Sequence, residues 1–115
     1  MKSSTLAFSL GNRSACLLNL GNYEEACSDI NLALALGYPE EGRYKLYERL
    51  GRIYSKMGLA PRAKTSFMIA KQLVISTSSL TDDKKNEFLT MVEQLSKENE
   101  KLIPVDKKSQ CKLLF

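Results

Sequence analysis

Histidine and tryptophan are both missing from these 115 residues. Without histidine there is no imidazole to act as a general base near neutral pH or to ligate a metal. The three cysteines, Cys16, Cys27 and Cys111, are too scattered to build a tetrahedral zinc site. Their odd number, with no secretory leader in front of them, points to a reducing compartment, the cytoplasm or also the nucleus. The chain has no glycine-rich phosphate loop and no serine-nucleophile elbow. It also has no apolar run of membrane-spanning length. The N-terminal stretch MKSSTLAFSLGNRS is interrupted by Gly11, Asn12 and Arg13, so it does not read as a signal peptide. The Asn12-Arg13-Ser14 glycosylation pattern carries no meaning inside a helix, and Cys111 lies one place too far from the end for prenylation. The expectation is a chain with no catalysis, cofactor or metal of its own, and no membrane partner.

What remains is 43% apolar and 26% charged, a balance suited to one soluble globular domain, with a mild net charge of +4. The most informative feature is an internal repeat. At an offset of 37 residues, Leu10 meets Tyr47, Ser14 meets Gly51, Leu17 meets Tyr54 and Gly21 meets Gly58. Ala26 then meets Ala63, Ile30 meets Phe67 and Ala33 meets Ala70. Small residues face small ones and large face large.

Each copy reads as two helices joined by a glycine turn. In the first, Leu6, Leu10, Leu17 and Leu20 follow helical spacing up to Gly21, which suits a helix end because it accepts positive φ. Asn22 is a candidate N-cap for a second helix carrying Tyr23, Ala26, Ile30, Ala33 and Leu34 on one face, ended by Gly37 and Pro39. The second copy runs from about Glu41 to Met57, turns at Gly58 and restarts near Pro61. The alanines allow close helix approach, and Ile30 and Phe67 fill the space between. The expected fold is all-α: two helix pairs, about 6–37 and 42–76, within a unit spanning 1–76. A linker follows at 77–81. Thr81, Asp82 and Asp83 start a capping helix at 82–103, ended by Pro104. Its Phe88, Met91, Val92, Leu95 and Leu102 read as a face covering the repeats rather than as a separate partner site. Residues 104–115 form a tail. Cys16 and Cys27 read as buried small residues rather than redox sensors.

The stretch NRSACLLNLGNYEEACSDINLAL resembles the tetratricopeptide repeat, and YERLGRIYSKMGLAPRAKTSFMIAK resembles a second copy that departs from the pattern at Ala60. A narrower similarity links NRSA and GYPEEGRYKLYERLGRIYSKMG to the repeat region of the SET and MYND domain-containing family. That resemblance implies a parent protein-lysine methyltransferase using S-adenosylmethionine and holding zinc in its MYND module. It also implies that this chain is a fragment bearing only the repeat part, a non-catalytic segment that shapes the parent's substrate groove.

Lys45, Arg49, Arg52 and Lys56 are spaced four, three and four apart, so they share one helix face about 16 Å long. Such a stripe attracts carboxylates. The tetratricopeptide resemblance sharpens this, since members that hold the acidic tails of heat-shock chaperones do so with a carboxylate clamp. Asn12, Lys45 and Arg49 stand at the clamp's later positions, with Arg52 and Lys56 extending it; the clamp's earlier residues belong to a preceding repeat that this chain lacks. The function expected is protein binding, with an acidic C-terminal peptide as partner. The alternative is that the stripe is only a solvated face. No exposed aromatics interleave it, so nucleic acid is not expected.

Overall fold

The glycine turns set the architecture. In the computed structural model, which describes residues 3–102, Gly21 and Gly58 both adopt φ of 79° and Gly37 adopts 88°. Each closes a helix with the same pair of bonds. Gly21 N–H donates to the Leu18 carbonyl and Asn22 N–H to Leu17, at 3.0 and 2.8 Å; Gly58 and Leu59 do the same to Ser55 and Tyr54, at 3.1 and 2.8 Å. Gly37 and Tyr38 repeat the motif onto Leu34 and Ala33. The helices so delimited are α1 (Ser3–Asn19), α2 (Tyr23–Ala35), α3 (Arg43–Lys56), α4 (Ala60–Ser76) and α5 (Asp82–Glu100). A single 3-10 turn, Glu40–Gly42, leads into α3. There is no strand among the described residues.

Asn22 does not cap α2. Its side chain accepts no bond, because the tight turn leaves it at ψ 70° rather than in extended backbone. Thr81 has the extended geometry, ψ 159°, and accepts from Lys84 N–H at 3.3 Å as expected. Helix α5 ends at Glu100, so the part of 82–103 beyond 102, Pro104 and the tail lie outside the described residues.

Each helix packs on the next, and α1 meets α3 as α3 meets α5, whereas α2 and α4 do not touch. The odd-numbered helices therefore line one side of the stack. The molecule measures 48 × 33 × 26 Å, and its radius of gyration of 14.9 Å exceeds the roughly 13 Å of a compact 100-residue domain.

The buried face of α1 is Ala7, Leu10, Ser14 and Leu17. Leu6 and Leu20 lie off it and are 39% and 74% exposed, which corrects the expected stripe. Cys16 also lies off it and is exposed, while Cys27 is half-buried against Tyr54. The four repeat alanines, Ala26, Ala33, Ala63 and Ala70, are all fully buried. Among the described residues Phe67 is the largest fully buried side chain, and its ring occupies the place where a β-carbon on Gly51 would stand. The equivalent pair in the first copy is Ser14 with the smaller Ile30, both fully buried.

Tyr38, in the connection between α2 and α3, holds α1 against the start of α3. Its ring lies so close to Gly11 and Gly42 that a β-carbon on either would meet it at 2.9 Å. Helix α5 closes the other end. Val92 is buried beside Ala63 and Phe67, and Phe88 meets Tyr44 edge-on with ring centroids 4.8 Å apart. Buried Asn99 donates to the Ala60 carbonyl at 2.9 Å, and Lys71 pairs with Glu93. Met91 and Leu102 are exposed, so the covering face is narrower than its apolar spacing suggests.

Phe67→Ala should cost about 3–5 kcal/mol in denaturant unfolding. Gly51→Ala should cost about 1–3 kcal/mol through overpacking, and most of that loss should disappear in a Phe67→Leu background. Additive effects of the two substitutions would show that the ring does not limit residue 51. On the acid side, the Lys71 hydrogen bond holds the Glu93 carboxyl below its ordinary value of 4.5. The pair therefore stabilises fully above that value and is lost as pH falls through the lower folded one. Glu93→Gln should remove this part of the acid slope in a thermal-melt series.

Candidate functional site

Two arginines tie the helices together before any ligand is considered. Arg13 on α1 grips Asp29 on α2 with two parallel bonds, Nε to Oδ2 and Nη2 to Oδ1, both 2.6 Å. Asp29 sits on the face of α2 that carries Ala26, Ile30 and Ala33, and its side chain is 6% exposed against 63% for Arg13. The carboxylate is the dry partner and raises the affinity of the wet guanidinium for its proton. Arg49 on α3 reaches across to α1, where its Nη1 donates to the Gly11 carbonyl at 2.8 Å and to Ser14 Oγ at 3.1 Å.

The stripe on α3 is one face with two leanings. Arg49, half-buried, leans toward α1 and anchors on Gly11, the residue before exposed Asn12. Arg52 and Lys56, both exposed, lean the other way. With Leu95 and Glu98 of α5 and Leu102 just beyond it they line a cavity of about 430 Å³ whose inner wall includes Phe67. Lys45 is exposed at the start of α3, its Nζ 5.9 Å from the Tyr44 ring centroid. The stripe thus runs down the middle of the side lined by α1, α3 and α5.

Its charges are not equivalent. Arg52 is paired within its own helix: Nη2 donates to Glu48 Oε2 at 3.1 Å and Nε lies 2.7 Å from Oε1. That second approach is close enough for an ion pair, but the N–H does not point at Oε1, which accepts no hydrogen bond among the described residues. Glu48 is 5% exposed, so the stripe has a buried anion in its middle. Arg49 forms no ion pair among the described residues, and its Nε and Nη2 make no hydrogen bond there. Burial lowers its pKa, the nearby Glu48 opposing, yet a guanidinium stays charged at neutral pH. Lys45 and Lys56 have no carboxylate within ion-pair distance among the described residues.

The sequence reading missed both carboxylates. Asp29 could be found as the one acid on an otherwise alanine- and isoleucine-lined face, and Glu48 from its four-residue spacing to Arg52. Nothing in the sequence marks the Gly11 carbonyl as a partner of Arg49. Among the described residues no group of acidic or sulfur ligands is placed to hold a metal ion, and no helix is long and apolar enough to cross a membrane.

The chain matches no family model, no curated protein and no solved structure.

Removing Arg13 strands a buried carboxylate, whereas removing the charge of Asp29 leaves a cation already in water. Arg13→Ala should therefore lower Tm more than Asp29→Asn does, and the reverse order would mean that Asp29 is wet in solution.

Proposed function

We propose that this chain is a protein-binding module of two tetratricopeptide-type repeats and a capping helix, which takes acidic peptides with a free C-terminal carboxylate. The tails of heat-shock chaperones have that chemistry. Support for the repeat type comes from the matched turns at Gly21 and Gly58, which share φ of 79°, and from the side-by-side odd helices.

The observation that carries the binding reading is the state of Arg49. Its guanidinium is half-buried and fixed by two bonds to α1, with no carboxylate paired to it among the described residues. A partly dehydrated cation held in place loses little entropy on binding and gains from an incoming anion. A carboxylate suits it, since two parallel hydrogen bonds can form to the remaining edge. Lys45, one turn earlier on the same face, supplies a second charge for an acidic side chain, and Asn12 a neutral donor beside the anchor.

With two cationic contacts, each charge-assisted bond contributing on the order of 1.5–3 kcal/mol, the dissociation constant should lie near millimolar. It should weaken as salt shortens the Debye length from about 30 Å to about 8 Å. The test is an NMR titration with an acidic peptide in free-acid and C-terminally amidated forms. The free acid should bind tighter, Lys45→Ala should weaken it about tenfold or more, and Arg49→Lys should do likewise because the fork is lost. Arg49→Lys must be checked by thermal melt, since Arg49 also joins α1 to α3. Equal binding of the amidated peptide, or full affinity in both folded variants, would leave the stripe as a solvated face.

A further inference from the structure

The buried anion within the basic stripe makes its ion pair inside its own helix, since Arg52 and Glu48 both lie on α3, so the pair does not tie one helix to another. We propose that Glu48 is a selectivity residue: it occupies the fork of Arg52 from within, so the stripe presents one open guanidinium and receives a single carboxylate rather than a phosphate-dense anion. The inference rests on the binding reading above and adds to it which anions are refused.

The geometry supports this in three steps. Two guanidinium groups stand three residues apart on one face, a spacing that otherwise suits a polyanion bridging both. One of them, Arg52, donates from Nη2 to Glu48 Oε2 at 3.1 Å and holds Nε at ion-pair distance, 2.7 Å, from Oε1. These are the atoms with which arginine takes up phosphate or carboxylate in a bidentate manner. The other, Arg49, uses only Nη1, leaving the Nε–Nη2 edge without a partner among the described residues.

Glu48 also cannot be moved aside cheaply. Its side chain is 5% exposed, and Oε1 has no hydrogen-bond donor among the described residues. A carboxylate so placed keeps its charge compensated chiefly through Arg52, and an incoming anion that took Arg52 away would leave it buried and unpaired. The fixed negative charge further repels any ligand carrying several charges close together. A single terminal carboxylate at Arg49 avoids both penalties.

The test uses the full chain, the acidic free-acid peptide and inorganic tripolyphosphate as the polyanion, each titrated by NMR. Wild type should bind the peptide and show no saturable tripolyphosphate binding. Glu48→Gln keeps the side-chain shape and frees Arg52. It should gain tripolyphosphate affinity of about tenfold or more, one added charge-assisted contact, with a smaller change for the peptide. Adding Arg52→Gln should abolish the gain. A folded Glu48→Gln variant whose tripolyphosphate affinity equals that of wild type would overturn the proposal while leaving the peptide result intact. Loss of the free-acid preference in wild type would instead sink the binding reading.

Discussion

The ring of Phe67 lies where residue 51 would carry its first side-chain carbon, and this close approach governs the rest of the stack. It brings α4 down onto α3, which leaves Phe67 fully buried and places Ala63 beside it. The surface so formed is what Val92 covers when α5 docks. The first copy solves the same problem with a larger residue on one side, Ser14, and a smaller one on the other, Ile30. Close packing conserves the sum, and neither partner is free to change alone.

On that frame the basic residues of α3 differ sharply although their spacing is regular. The helix period puts them on one face, but each neighbour decides what a charge can do. Toward α1 lies the carbonyl of Gly11, which also accepts from Ser14 Oγ, and Arg49 donates to it. Within α3 lies a buried acid, and Arg52 takes that. Lys45 and Lys56, with strongly hydrated ammonium ends, remain in water. A stripe that reads as four equivalent cations is one anchored fork, one compensated fork and two exposed charges.

The legibility of the fold follows from where its information is stored. Glycines that need positive φ, and alanines that need contact, leave marks in the residue type itself, so the turns at Gly21, Gly37 and Gly58 and the alanine seams were readable. Asn22 has a side chain able to cap, but the turn that precedes it fixes a ψ of 70°, unsuited to capping. The helical spacing of Leu6 and Leu20 and the residue type of Cys16 point inward, but a helix of this width has only one strip facing its neighbours, and all three lie off it. The candidate site was less legible still. Its decisive contacts join residues far apart in sequence, such as Arg49 to Gly11 and Arg13 to Asp29, and one partner is a backbone atom that any residue would supply.

Because every helix rests mainly on the one before it and the one after, the order of the chain is also the order of its contacts. Such an arrangement closes only short loops as it forms, and it is the kind of topology in which folding is fast. It also gives the process no fixed starting end. Either helix pair can gather first, and the other can then extend the stack in either direction. The α3–α4 pair, with its large ring already seated against Gly51, has the most to gain from assembling early. The bond from Arg49 to the α1 backbone joins the two pairs, so it needs α1 and α3 side by side, and the open face of the stripe is prepared only by their union.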